Sequence, residues 1–140
     1  MSTHWDNNIA GFDYNDTQQV PSVDNYQTVF ILLGVYSDNH YLLEEEVAGF
    51  VNHLELGGNV YMEGADTWAF DSGTNLHDMF GLSPVADGSA DLSEISGIEG
   101  TFTEDLTFSY NGGNSYIDRL SENGGFAILE NDNPEYSDAQ

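Results

Sequence analysis

Lysine is missing from this sequence and arginine occurs once, at Arg119, against 25 acidic residues, which leaves a formal net charge of −24. Nucleic acid phosphates and anionic membranes are held through clustered cations that displace counterions, so direct binding to either is excluded. Cysteine is absent, which removes disulfides, zinc–thiolate sites and cysteine nucleophiles, and leaves the redox compartment undetermined. No apolar stretch approaches the roughly 20 residues that span a bilayer. The opening Met1-Ser2-Thr3-His4-Trp5-Asp6 has neither the basic n-region nor the apolar h-region of an export signal. What remains is a chain of 140 residues, 39% hydrophobic and 13% aromatic. That is enough for a single domain over residues 1–140 that buries roughly two-thirds of its unfolded surface, with 1–24 and 131–140 peripheral.

The continuous apolar run Val29-Phe30-Ile31-Leu32-Leu33-Gly34-Val35-Tyr36 reads as a central strand covered on both faces. From Leu43 to Leu56 the residues Leu43, Val47, Phe50, Val51 and Leu54 recur with helical spacing and mark one apolar face. Glu44, Glu45 and Glu46 fall in the first turn, where the helix dipole favours anions. Gly57 and Gly58 are C-cap glycines, and Asn59 to Glu63 follows as a second strand. This order predicts a βαβ unit with two parallel strands. A short helix is expected from about Thr74 to Phe80, with Ser72 or Thr74 as N-cap. Residues 83 to 105 read as an irregular surface excursion. Leu106 to Tyr110 and Ser115 to Leu120, flanking Asn111-Gly112-Gly113-Asn114, read as a C-terminal hairpin, and Phe126 to Leu129 as the last strand.

The string from Leu56-Gly57-Gly58-Asn59 through Met62-Glu63-Gly64-Ala65-Asp66-Thr67-Trp68 follows an acidic helix and a strand ending Leu33-Gly34-Val35-Tyr36. It resembles a module of large secreted bacterial proteins whose scaffold is similar to that of class I glutamine amidotransferases. The likeness continues through Val85 to Ser89, Phe108-Ser109-Tyr110 and Tyr116 to Leu120, roughly residues 25 to 130. It implies an α/β, three-layer, flavodoxin-like domain with a mostly parallel central sheet. It implies no activity, because a fold alone does not specify one. The amidotransferase scaffold carries a Cys nucleophile at the elbow after a central strand, whereas Met62-Glu63-Gly64 occupies the comparable turn here. The same resemblance implies an extracellular setting within a larger exported protein, and the charge balance implies a chain soluble in a high-salt organism.

Ligand sites of open α/β sheets lie at the carboxyl ends of parallel strands, which here deliver Tyr36 to His40 and Glu63 to Asp71. His40, Glu63, Asp66, Trp68 and Asp71 are therefore the candidate ligand cleft, with His77 nearby. Glu63 and Asp66 are the carboxylates for acid–base chemistry if the protein is an enzyme. The competing reading has them capping helix ends and loop amides while Trp68 closes the core edge. Asp87 and Asp91, in Asp87-Gly88-Ser89-Ala90-Asp91, offer the oxygen ligands that calcium prefers, and Asp6 to Asp13 has a similar character. Neither matches the EF-hand loop, and Asx turns explain both without a metal. No Gly-x-Ser-x-Gly elbow surrounds Ser37, Ser72 or Ser83. Arg119 is read as the partner of Asp118 or another acid.

These features favour a non-catalytic accessory or binding module with no organic cofactor, taking cations such as calcium and a protein or carbohydrate partner. Two alternatives stand beside it. One is a hydrolase-like enzyme using strand-end acids with a divalent metal. The other is an acidic decoy that mimics nucleic acid, which needs carboxylates in a stripe at phosphate-like spacing.

Overall fold

The computed structural model describes residues 23–71, 73–88, 92–113 and 117–131. In chain order they form β1 (Thr28–Leu32), α1 (Glu44–Glu55), β2 (Asn59–Glu63), α2 (Asn75–Met79) and β3 (Leu82–Ala86). β4 (Glu94–Gly97), β5 (Thr107–Ser109), β6 (Arg119–Glu122) and β7 (Leu129–Asn131) follow.

The first half matches the strand, helix, strand expectation. β1 and β2 pair in parallel, with Val29 opposite Val60 and Ile31 opposite Met62. At the start of α1 the Leu43 backbone N–H donates to Glu46 Oε2 at 2.7 Å, satisfying an amide that the helix entry would otherwise leave unpaired. The helix stops in a Schellman turn, in which Gly57 N–H donates to the Leu54 carbonyl at 3.0 Å and Gly58 N–H to the His53 carbonyl at 2.9 Å. Gly57 takes φ +88°, a left-handed conformation in which a Cβ is costly.

Ile31, Leu33, Val47 and Leu76 are the buried centre of the core, and Val29, Phe50, Val51, Leu54, Val60 and Met62 pack around them. Alternation along β1 sends Val29 and Ile31 inward and leaves Phe30 and Leu32 68% and 70% exposed. On this outer face the Phe30 ring meets Tyr61 at a centroid distance of 5.5 Å. The strand is thus covered on one face, not both as its continuous apolar run suggests.

The rest of the chain overturns the flavodoxin-like expectation. Among the described residues β1–β2 is the one parallel pair, while β3 and β6 form an antiparallel pair and β5, β4 and β7 an antiparallel three-stranded sheet. The architecture is mixed α/β and strand-rich with two helices, not a three-layer domain around a mostly parallel sheet. A doubly wound sheet needs a helix in each crossover to cover its faces. After α2 the described chain supplies short strands and no further helix. The expected C-terminal hairpin is also corrected, because β5 pairs with β4 and β6 pairs with β3. The Asn-Gly-Gly turn signal favours a local reversal, but it does not choose the strand's partner. Residues 83 to 105, expected to be irregular, hold most of β3 and all of β4. The β3–β6 register shifts between Pro84 and Ala86, the kind of bulge at which a strand tolerates proline. The last strand begins at Leu129, and Phe126 before it is 75% exposed.

No helix among the described residues is long and apolar enough to cross a membrane.

Candidate functional site

The carboxyl ends of β1 and β2 lead into two neighbouring segments, 33–42 and 64–71, that are tied to each other and to the chain before β6. Leu33 N–H donates to the Glu63 carbonyl at 2.8 Å, Ala65 N–H to the Gly34 carbonyl at 3.2 Å, and Asp118 N–H to the Ala65 carbonyl at 3.0 Å. Asp118 then grips the loop with its side chain. Its Oδ2 accepts the backbone N–H of Trp68 at 2.5 Å and of Ala69 at 3.0 Å. Asp71 N–H closes the turn on the Asp66 carbonyl at 3.2 Å, and the Trp68 ring packs edge-on against His77 and Phe80 at 4.8 and 5.8 Å.

This arrangement draws three carboxylates together. Asp66, Asp87 and Asp118 each offer one oxygen, and these oxygens lie within 4.8 Å of one another. Asp66 is 2% exposed and Asp118 7% exposed, while Asp87 faces solvent. Gly88 makes the approach feasible, because a Cβ there would overlap the backbone of Ile117. Its absence lets the end of β3 lie against the chain leading into β6. Neither carboxylate oxygen of Asp66 has a hydrogen-bond partner among the described residues, and Asp118 Oδ1 has none either. A buried carboxylate without a partner is costly unless it is neutralised by a proton or a cation.

The electrostatics follow from the burial. Loss of solvent raises the Asp66 carboxyl to about 6, and the nearby carboxylates of Asp118, Asp87 and Asp71 push in the same direction. Burial also raises Asp118, opposed by the N–H groups of Ala69 and Trp68. Asp71 is raised by burial and restrained by hydrogen bonds from Tyr41 and Asn39. Burial lowers His77 and keeps its ring neutral near pH 7. Calcium–oxygen distances of about 2.3–2.6 Å put ligand atoms on opposite sides of one ion up to roughly 5 Å apart. The three-carboxylate cluster has that span.

The residues singled out from sequence divide among several places. Asp66 joins the carboxylate cluster. Asp87 does too, but alongside Asp118, while Asp91 and the 6–13 segment lie outside the described residues. Glu63 is exposed at the end of β2, where its Oε2 accepts the Tyr61 hydroxyl at 2.8 Å. Trp68 closes the core edge through its ring contacts. His40 pairs with Glu46 at 2.8 Å, and His40 and Asp71 line a separate cavity. Sequence reasoning missed the part Asp118 plays, since its contacts to Trp68 and Ala69 span 50 and 49 positions. The sequence signal that reached the cluster is Asp87, singled out as an oxygen ligand for calcium, though with Asp91 and not Asp118 as its companion.

No protein-family model, curated protein or solved structure matches the chain. The functional reading therefore rests on the chemistry of the site.

Proposed function

We propose that this domain is a non-catalytic accessory module that binds one hard divalent cation between Asp66, Asp87 and Asp118, in a salt-exposed or extracellular bacterial protein. The observation that carries the reading is Asp66, sealed from solvent with both oxygens unpartnered and beside two more carboxylates. An ion there replaces mutual repulsion with attraction and supplies the missing partner. It also clasps three separate segments: the loop after β2, the chain just after β3 and the chain just before β6. A clasp fits better than a catalyst because Asp66 cannot touch a substrate while buried, and Asp118 already holds two loop amides. Calcium suits the site better than magnesium, because it tolerates irregular oxygen geometry and sheds water more readily. The charge of −24 supports a salt-rich setting, where screening relieves self-repulsion.

Isothermal titration with calcium in about 0.5 M potassium chloride tests this, since that salt screens diffuse attraction. One saturable site per chain is expected, tighter for calcium than for magnesium. It should be lost in Asp66→Asn and Asp118→Asn and kept in Glu45→Gln, which removes an exposed charge of α1 outside the cluster. Gradual heat without saturation, or equal binding by Asp66→Asn, would overturn the proposal.

A further inference from the structure

The carboxylate cluster supplies fewer oxygens than a calcium ion takes. Asp66, Asp87 and Asp118 offer one each, and Asp118 has only Oδ1 to give, because its Oδ2 accepts the Trp68 and Ala69 amides. Calcium takes about 6–8 oxygens, so water completes the shell even where Asp66 and Asp87 bind through both of theirs. A water held through its oxygen turns its protons outward, where they need acceptors.

Asp71 is an acceptor left over in the same loop. Its backbone N–H closes the turn on the Asp66 carbonyl at 3.2 Å, and its carboxylate repels those of Asp66 and Asp118. It stands outside the group of oxygens that lie within 4.8 Å of one another, which makes it a neighbour of the site and not a direct ligand. Its two oxygens are used unequally. Asn39 Nδ2 donates to Oδ2 at 3.1 Å, and the Tyr41 hydroxyl bonds the same carboxylate. Oδ1 is shut off from solvent and has no partner among the described residues, a costly state for a carboxylate oxygen until a donor reaches it. Both donors to this carboxylate come from the 33–42 segment, so Asp71 stands between that segment and the cluster.

We propose that Asp71 is the outer ligand of the divalent site: its Oδ1 accepts a hydrogen bond from a water on the ion, while Asn39 and Tyr41 hold the carboxylate in place. This rests on the reading of Asp66, Asp87 and Asp118 as an ion site and extends it. The ion then fastens a fourth segment, 33–42, besides the three it clasps directly, and Asp71, Asn39 and Tyr41 are positioning residues. Outer supports of this kind orient metal ligands, and their loss costs about 10–100-fold in metal affinity.

Calcium titration calorimetry in about 0.5 M potassium chloride, run on charge-neutral variants, separates this role from plain attraction between charges. Asp71→Asn should weaken calcium binding about tenfold with one site per chain retained. Asn39→Ala and Tyr41→Phe each remove a donor and no charge, and each should weaken it about threefold. Hydrogen exchange gives a second readout. The Asp38 and His40 amides donate to the Val35 and Leu33 carbonyls at 3.0 and 2.7 Å; saturation with calcium should slow their exchange about fivefold, and Asp71→Asn should erase that slowing. Native affinity in both Asn39→Ala and Tyr41→Phe, or exchange at Asp38 and His40 that calcium leaves unchanged, would overturn the assignment even where Asp71→Asn binds weakly. Asp66→Asn tells the two proposals apart. Loss of calcium in that variant alongside either of those results strikes the outer ligand and leaves the ion site standing, whereas undiminished binding strikes both.

Discussion

Replacing Asp66 by Asn removes a charge from a site where nothing in the described structure offsets it, so the ion-free protein should become more stable near neutral pH. Burial and three neighbouring carboxylates raise the Asp66 carboxyl from 3.8 to about 6 in the folded state. A carboxyl raised on folding holds its proton more tightly in the folded chain than in the unfolded one. Its stability contribution is fully present below about pH 4 and is lost as pH rises through about 6. A shift of roughly two pKa units corresponds to about 3 kcal/mol at pH 7. For a chain of this size that is on the order of 10 °C in melting temperature. Asn carries no charge at any pH, so the variant escapes this loss. Thermal melts in a chelator at pH 4, 5, 6 and 7 should show the variant gaining on the native protein as pH rises, with little difference at pH 4. Calcium should then reverse the order, raising the native midpoint and leaving the variant unmoved. If Asp66→Asn is the less stable protein at pH 7 in chelator, the carboxylate has a stabilising partner and the reasoning is wrong.

Three further outcomes follow from the same contacts. Asp118→Ala should destabilise the protein by about 2 kcal/mol in urea melts, because the Trp68 and Ala69 amides lose a charged acceptor, partly offset by removal of a desolvated charge; Trp68 emission should shift to the red as its loop loosens. Gly88→Ala should lower both stability and calcium affinity, the latter at least about tenfold by titration calorimetry, since the added Cβ meets the Ile117 backbone and pushes Asp87 away from Asp118. The ion-free midpoint should rise steadily between about 0.05 and 1 M sodium chloride as self-repulsion is screened, with sodium and potassium equivalent.

The part of the fold that could be read in advance is the part governed by short-range periodicity. The apolar spacing from Val47 to Leu54, the acidic first turn and the Gly57-Gly58 stop belong to one helix and its immediate neighbours, and β1, α1 and β2 follow from them. The later strands carry weaker patterns. β5 is three exposed residues, Thr107 to Ser109, and its partner is β4, with the 98–106 connection between them. Turn signals at Asn111-Gly112-Gly113 are equally compatible with a hairpin and with strands that part to different sheets. The candidate site divides in the same way. Asp66 and Asp87 stand out in sequence as acids at turns, whereas Asp118 becomes a member of the cluster only through contacts that close some 50 positions of chain. Alternation predicts neither such closure nor the burial that leaves Asp66 without a partner.

The central claim is that Asp66, Asp87 and Asp118 share one divalent ion. The most direct test is anomalous diffraction from crystals grown with manganese, a scattering stand-in for calcium that accepts the same oxygen ligands. The account predicts a single strong anomalous peak within about 2.0–2.6 Å of one oxygen from each of the three carboxylates, displaced by excess calcium. A peak elsewhere on the acidic surface with the Asp66 carboxylate unchanged, or density showing Asp66 hydrogen-bonded to protein groups, would contradict it.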